Sequence, residues 1–364
     1  MFNSDGSYKE DIRIYTEKII ERDGVSSKSS EREIVCMSEE GNLLALKLYA
    51  DMIFYKKIYH KHAYRDAFDL YMKSAGMSVF EGIWSCSGRS YPLAFWSLGY
   101  YLVNYKRESV LAKCETIDVI EEMSMKDRMR TALELSIACL ESENISAAIN
   151  LVGRILRESS EDEELFNEIK DIVNDKVLKL DLPEMTGRPD SISTMSDAAE
   201  LAELFFVTAA QDGYVFACNS LAAKEADAIV QMKTKIDSEE TSDDGKAELQ
   251  EKLNESIINY ICYLKIAADK YEPYASNRLG LFYMTGEIST SNGKKVFKEY
   301  VDTSLAKEYF IRATVYPDEN SAWGYFNLMK YFPKMYERDI DLMNEHMDYI
   351  KELNPAVYDL ALDL

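Results

Sequence analysis

The apolar and small residues of one stretch recur at helical spacing. In residues 275–286, ASNRLGLFYMTG, Ala275, Leu279, Gly280 and Tyr283 fall at i, i+4, i+5 and i+8. At about 100° per residue they share one helical face. Gly280 gives up roughly 1 kcal/mol of helix propensity relative to Ala, which a closely packed neighbouring helix would offset. Gly286 follows the last periodic residue and reads as a left-handed helix stop. In residues 302–313, DTSLAKEYFIRA, the positions Ala306, Tyr309, Phe310 and Ala313 share a second face. Small residues on each helix oppose large ones on the other, which predicts a helical hairpin. One hairpin cannot bury both of its faces alone, so copies are expected.

Worn copies are present. The first-helix pattern, Ala followed at +4 and +5 by a large and a small residue, recurs at Ala45/Tyr49/Ala50, Ala94/Leu98/Gly99 and Ala217/Leu221/Ala222, and more faintly at Ala322/Phe326/Asn327. The second-helix pattern recurs at Ala67/Leu70/Tyr71/Ser74/Ala75, at Ala202/Phe205/Phe206/Ala209/Ala210/Gly213, and without its leading Ala at Tyr263/Leu264/Ala267/Ala268.

These residues resemble the Sel-one-like repeat family, relatives of the tetratricopeptide repeats. That family's first helix carries Ala-x-x-x-Leu-Gly-x-x-Tyr-x-x-Gly, which residues 275–286 match at every fixed position. Its second helix carries an aromatic pair, Lys-Ala-Ala and Gly. Residues 205–213, FFVTAAQDG, match except for Thr208 in place of Lys. The likeness spans about five units across residues 42–332. It implies an all-α, right-handed α-solenoid of helical hairpins that presents a concave surface to other proteins, and it implies no particular chemistry.

Around these repeats the chain divides by composition. Residues 1–41 are expected to form N-terminal capping helices, with Tyr8, Ile12, Tyr15 and Ile19 aligned over 8–22 and a capping-box signal at Ser30 and Glu33. A first repeat block is expected over 42–181. Residues 182–196, LPEMTGRPDSISTMS, break it as an extended, exposed linker. A second block follows over 197–335, interrupted by an insertion at 287–302, and a C-terminal capping helix completes the chain over 336–364. Helices are also expected over 107–122, 124–142, 145–158 and 161–180.

Charge narrows the partners. Lys and Arg total 42 against 64 Asp and Glu, a net charge of −22. So acidic a chain repels phosphate backbones, which argues against nucleic acid. No run of about 18 apolar residues is present, so no membrane span is expected, and the opening residues lack a signal-peptide core. The six cysteines, Cys36, Cys86, Cys114, Cys139, Cys218 and Cys262, are scattered through apolar or helical stretches. They read as buried free thiols of a cytoplasmic protein.

A search for chemistry returns little. His60-Lys61-His62 looks like a metal pair, but helical i, i+2 side chains diverge by about 200°. No phosphate loop, Cys-x-x-Cys or nucleophile turn occurs. No catalytic residue, cofactor or metal is expected. Helix positions +2, +6 and +9 from the repeat alanine, such as Lys47, Asp51 and Phe54, would line the concave wall under the family's packing. Among them Trp96 and Tyr100 suit anchor pockets, and Asn219 and Asn277 occupy one equivalent position in two repeats, suited to holding a peptide backbone. The expectation is a non-enzymatic scaffold for a protein or peptide partner. The alternatives are a small-ligand or peptide sensor, or an enzyme with its site in the concavity or the 287–302 insertion.

Overall fold

A computed structural model of the chain describes residues 28–54, 62–80, 83–86, 89–105, 117–142, 145–182, 185, 187–238, 243–315, 319–337 and 339–364. The expected helix at 8–22, His60 and Cys114 lie outside the described residues. The described residues are overwhelmingly α-helical, so the all-α reading holds, with two small β-hairpins that periodicity did not predict. By internal contacts the chain forms two compact units, Met1–Phe205 and Phe206–Leu364.

In the first unit the helices Lys28–Glu39, Leu43–Phe54, Ala63–Ser74 and Pro92–Asn104 pack in succession, and Met125–Ser142, Ser146–Ser159 and Glu163–Asp175 continue the series. Lys28–Glu39 begins before Ser30, so Ser30 is not its cap, while Gly41 ends it at φ +81° as expected. Pro92 opens its helix where a missing N–H costs nothing. The small face of that helix meets Met125–Ser142. A Cβ on Gly99 would stand 3.2 Å from the Ala132 carbonyl and 3.1 Å from a Leu151 methyl. Phe54, Tyr64, Phe68 and Tyr101 interlock as a core, with Phe68 and Tyr101 ring centres 5.5 Å apart. Strands Met77–Phe80 and Ile83–Cys86 pair antiparallel, and Trp84 sets its ring edge-on against Phe68. Of the expected 107–122 helix, the described part is the single turn Asp118–Glu121.

Much of the 182–196 segment is exposed and non-helical, but it is tied to the elements before it. Leu182 and Ile192 are buried. The Asn174 side chain donates to the Ile192 carbonyl at 3.1 Å and accepts from its N–H at 2.8 Å. Arg188 donates to the carbonyls of Leu178 and Leu180. A non-helical stretch needs partners for its backbone groups, and here the preceding elements supply them. Asp197 then accepts from the Ser193 and Thr194 N–H groups, which hold its carboxyl down to about 2, and the Met195–Gln211 helix begins.

In the second unit Val215–Ile236 packs along Asp243–Asp269, Pro273–Thr285 along Thr303–Arg312, and Ser321–Tyr331 along Ile340–Leu353, with Pro355–Ala361 closing the end. Ala275, Leu279 and Gly280 are buried as the spacing predicts. A Cβ on Gly280 would fall 2.5 Å from the Phe310 ring, so the hairpin closes on the absence of a side chain. Tyr283 stacks on Tyr309 at 5.7 Å, and Gly286 adopts φ +72°. The 287–302 insertion folds into the hairpin Glu287–Thr290/Gly293–Val296 and lies on the distal turns of Val215–Ile236. Asn292 bonds Asp227, and Lys295 pairs with Asp237.

Candidate interaction surfaces

The four residues expected to line a groove divide between the units. Trp96 and Tyr100 belong to the first. Each is half-buried, and their rings meet at 5.7 Å. Lys47 stands 5.9 Å from the Trp96 ring, and the Arg154 guanidinium 5.8 Å from Tyr100. Asp51 anchors the other side of Lys47 and accepts from the Tyr71 hydroxyl at 2.8 Å, while Arg154 donates to Asn104 at 2.6 Å. Positions +2 and +6 of two successive first helices therefore meet, as their shared phase implied, and each ring faces a cation of a neighbouring helix.

Asn219 and Asn277 belong to the second unit, and their amide nitrogens are engaged within the chain. Asn277 is 6% exposed and donates to the Asn320 carbonyl at 2.7 Å. Asn320 precedes Ser321–Tyr331, the next first helix. Asn219, half-buried, donates to the Glu272 carboxylate at 3.1 Å, and Glu272 caps Pro273–Thr285 by accepting from the Tyr274 and Ala275 N–H groups. The two asparagines, each two residues past a matched alanine, do one task twice: each ties its helix to the N-terminus of the second α-helix after it. The Oδ1 atoms of both Asn residues are buried without a hydrogen-bond partner. In Pro273–Thr285 positions +6 and +9 are covered: Leu281 and Met284 pack on the Ala306, Phe310, Leu328 and Tyr336 cluster, whereas the +6 residue of Val215–Ile236, Ala223, is exposed.

Sequence reasoning passed over the exposed aromatics near the starts of three helices of this unit. Phe216 is 59% exposed and Tyr274 37%, each immediately before its repeat alanine, and Trp323 is 39% exposed in the first turn of the next such helix. Between them Tyr271 takes φ +58° and is the only described non-glycine residue at positive φ. The preceding repeat places Gly213 at the same point, φ +74°. The signal was present: aromatics before two repeat alanines, and Tyr where the repeat carries Gly.

Ionisable groups are sparsely grouped. His62 is exposed and opens the Ala63–Ser74 helix. His346 lies within rings: its Nδ1 shares a 2.9 Å hydrogen bond with the Tyr336 hydroxyl, and Tyr325 meets it edge-on at 4.6 Å. Burial lowers its pKa, partly offset by Glu345, and burial pushes Tyr336 up to about 12. Among the described residues no group of three or more His, Cys, Asp or Glu is placed to hold a metal ion. Cys139 and Cys218 are buried as expected, but Cys36, Cys86 and Cys262 are exposed, because they fall on the outward phase of their helices or on a short strand. A depression beside Leu140 and Leu180 in the first unit is open and lined by Glu141, Asp175, Lys176, Lys179 and Asp181, a mixed-charge wall unlike an enclosed ligand site. No described helix is long and apolar enough to cross a membrane. No family model matches the chain, and no curated protein is significantly similar to it.

Proposed function

We propose that this chain is a non-enzymatic interaction scaffold, a right-handed α-solenoid of Sel-one-like hairpins that binds a protein or peptide partner. One observation carries the reading. Of the seventeen large hydrophobic residues exposed among those described, sixteen lie between Phe216 and Leu364, and Met125 alone lies in the first unit. Contiguous exposed apolar surface marks docking sites, so the second unit, which carries these side chains, is taken as the docking region. The free thiols at Cys36, Cys86 and Cys262 suit a reducing compartment, so the cytoplasm is the proposed setting.

The test is reconstitution. A partner cross-linked to the full chain in its own cell is purified, and the two are remixed. The expected result is a saturable complex whose cross-links fall mainly on lysines beyond residue 206. A complex confined to the first unit would overturn the proposed surface. The sensor alternative is tested by thermal shift against metals, nucleotides and small metabolites, where a saturable shift with no protein partner would displace the scaffold reading.

A further inference from the structure

We propose that Asn292-Gly293 is a self-modification site: undocking of the 287–296 hairpin lets it deamidate, and deamidation makes the undocking permanent. The proposal stands apart from the scaffold reading. It is the only Asn-Gly step in the sequence. Asn292 is exposed at the hairpin tip, and its Nδ2 donates to Asp227 Oδ1 on Val215–Ile236 at 3.0 Å. Gly293 follows at φ +131°, with no side chain to keep its backbone nitrogen from the Asn292 amide.

The reaction needs water alone. The Gly293 nitrogen gives up its proton and attacks Asn292 Cγ. The N–Cγ bond forms and the Cγ–Nδ2 bond breaks, and Nδ2 takes a proton and leaves as ammonia. Water then adds to either carbonyl of the resulting cyclic imide and breaks one of its C–N bonds. The product is an aspartyl or an isoaspartyl residue at this position, with no change of oxidation state.

The docked hairpin restrains the first step. Gly293 is paired with Thr290 in the ladder, and Asp227 holds the amide that must turn toward the nitrogen. Attack also places negative charge on the Asn292 side-chain oxygen, which a neighbouring carboxylate opposes. A hairpin lifted from Val215–Ile236 is rid of that carboxylate.

Once formed, the product has lost its way back. Asn292 offers Asp227 a donor, whereas a carboxylate offers acceptors and like charge. Asp227 makes no ion pair among the described residues, and the lysines of strand Gly293–Val296 are committed, Lys294 to Glu287 and Lys295 to Asp237. The isoaspartyl form also adds a backbone atom beside the Thr290–Gly293 pair and disturbs the register. Val230, 1% exposed and next to Gly293, is left uncovered when the hairpin stays away.

The test uses the full chain, incubated warm in mildly alkaline buffer and sampled by peptide-mapping mass spectrometry. Asn292 is expected to deamidate ahead of every other asparagine, and Asp227→Ala should speed it severalfold. Asn292→Asp, which imitates the aspartyl product, should raise amide hydrogen exchange over 287–296 above the level of Asn292→Ala, which loses the bond without gaining the charge. Adding Asp227→Ala to Asn292→Asp should bring exchange back to the alanine level. If Asn292→Asp fails to fold, the deamidation rates with and without Asp227→Ala decide. An Asn292 that outlasts other asparagines, a rate that Asp227→Ala leaves unchanged or slows, or equal exchange in Asn292→Asp and Asn292→Ala overturns the proposal.

Discussion

Two residues beyond the matched alanine stand Lys47 and Trp96 in the first unit and Asn219 and Asn277 in the second, and these side chains join neighbouring helices by different chemistry. In the first unit the joint is a ring between cations, with Lys47 over Trp96 and Arg154 over Tyr100. Such contacts are tolerant of angle and are worth about 0.5–1 kcal/mol at exposed sites. In the second unit the joint is a directed amide bond to the next helix start, Asn277 to Asn320 and Asn219 to Glu272. A hydrogen bond fixes distance and register where a ring contact allows sliding. Among the described residues, the unit with the fixed joints also carries most of the exposed large apolar side chains.

Both units share the hairpin closure, so the largest expected effect tests what they have in common. Gly280→Leu should lower stability by about 1–3 kcal/mol through overpacking, since its Cβ alone would reach 2.5 Å from Phe310. Gly99→Leu should do the same against Ala132 and Leu151. Denaturant melts give the magnitude, and hydrogen exchange shows which unit loosens. An unchanged midpoint for either would break the shared rule.

The joints themselves come next. Asn277→Ala removes a buried donor from the Asn320 carbonyl and should cost about 1–2 kcal/mol. Asn219→Ala should cost less, because Asn219 is only half-buried and Glu272 keeps its bonds to Tyr274 and Ala275. Trp96→Ala is expected to cost stability without altering hydrogen exchange at a helix N-terminus, because its ring caps none. Equal protection at Ser321–Tyr331 in wild type and Asn277→Ala would show that the amide does not set register.

Much of this was legible in the chain and some of it was not, for physical reasons. Gly280 against Phe310 followed from helical phase alone, because two faces of one hairpin are close in sequence. The fate of Asn277 did not follow, since phase says which side a residue takes and not which helix covers that side. The hairpin at 287–296 was missed although Asn292-Gly293 at its tip is a strong turn signal; its strands of four residues are too short for alternation to register. Burial of Cys36 and Cys262 was expected from their apolar neighbours, yet each takes an outward phase of an amphipathic helix. The exposed aromatics at the helix starts went unread because their position belongs to a loop boundary, where periodicity ends.

At the C-terminal end of the second unit, acid should act selectively. Burial holds His346 below its ordinary value, so the neutral ring is the folded form. The unfolded chain takes up a proton near pH 6.5. Stability is therefore complete above that pH and falls as pH drops below it toward the lowered folded pKa. Glu345 offsets part of the loss, and the Tyr336 hydroxyl and the Tyr325 ring are the other groups facing the imidazole. His346→Phe should flatten the pH dependence of hydrogen exchange in Ile340–Leu353 between pH 5 and 7. A slope unchanged by that substitution would place the acid sensitivity elsewhere.

The smallest expected effect concerns one turn position occupied twice. Gly213 and Tyr271 close successive second helices at φ +74° and +58°. A left-handed backbone costs an L-residue roughly 1–2 kcal/mol, while a glycine adds unfolded-state entropy worth about 0.4–1 kcal/mol. Tyr271→Gly should therefore stabilise the second unit slightly, by about 0.5 kcal/mol. Gly213→Ala should destabilise it by a similar or larger amount, because the new Cβ would also displace Lys270 from 2.5 Å and weaken its bond to the Gly213 carbonyl. Paired chemical melts of the two variants measure both signs. If Tyr271→Gly instead destabilises, the tyrosine ring contributes more packing than its exposure implies.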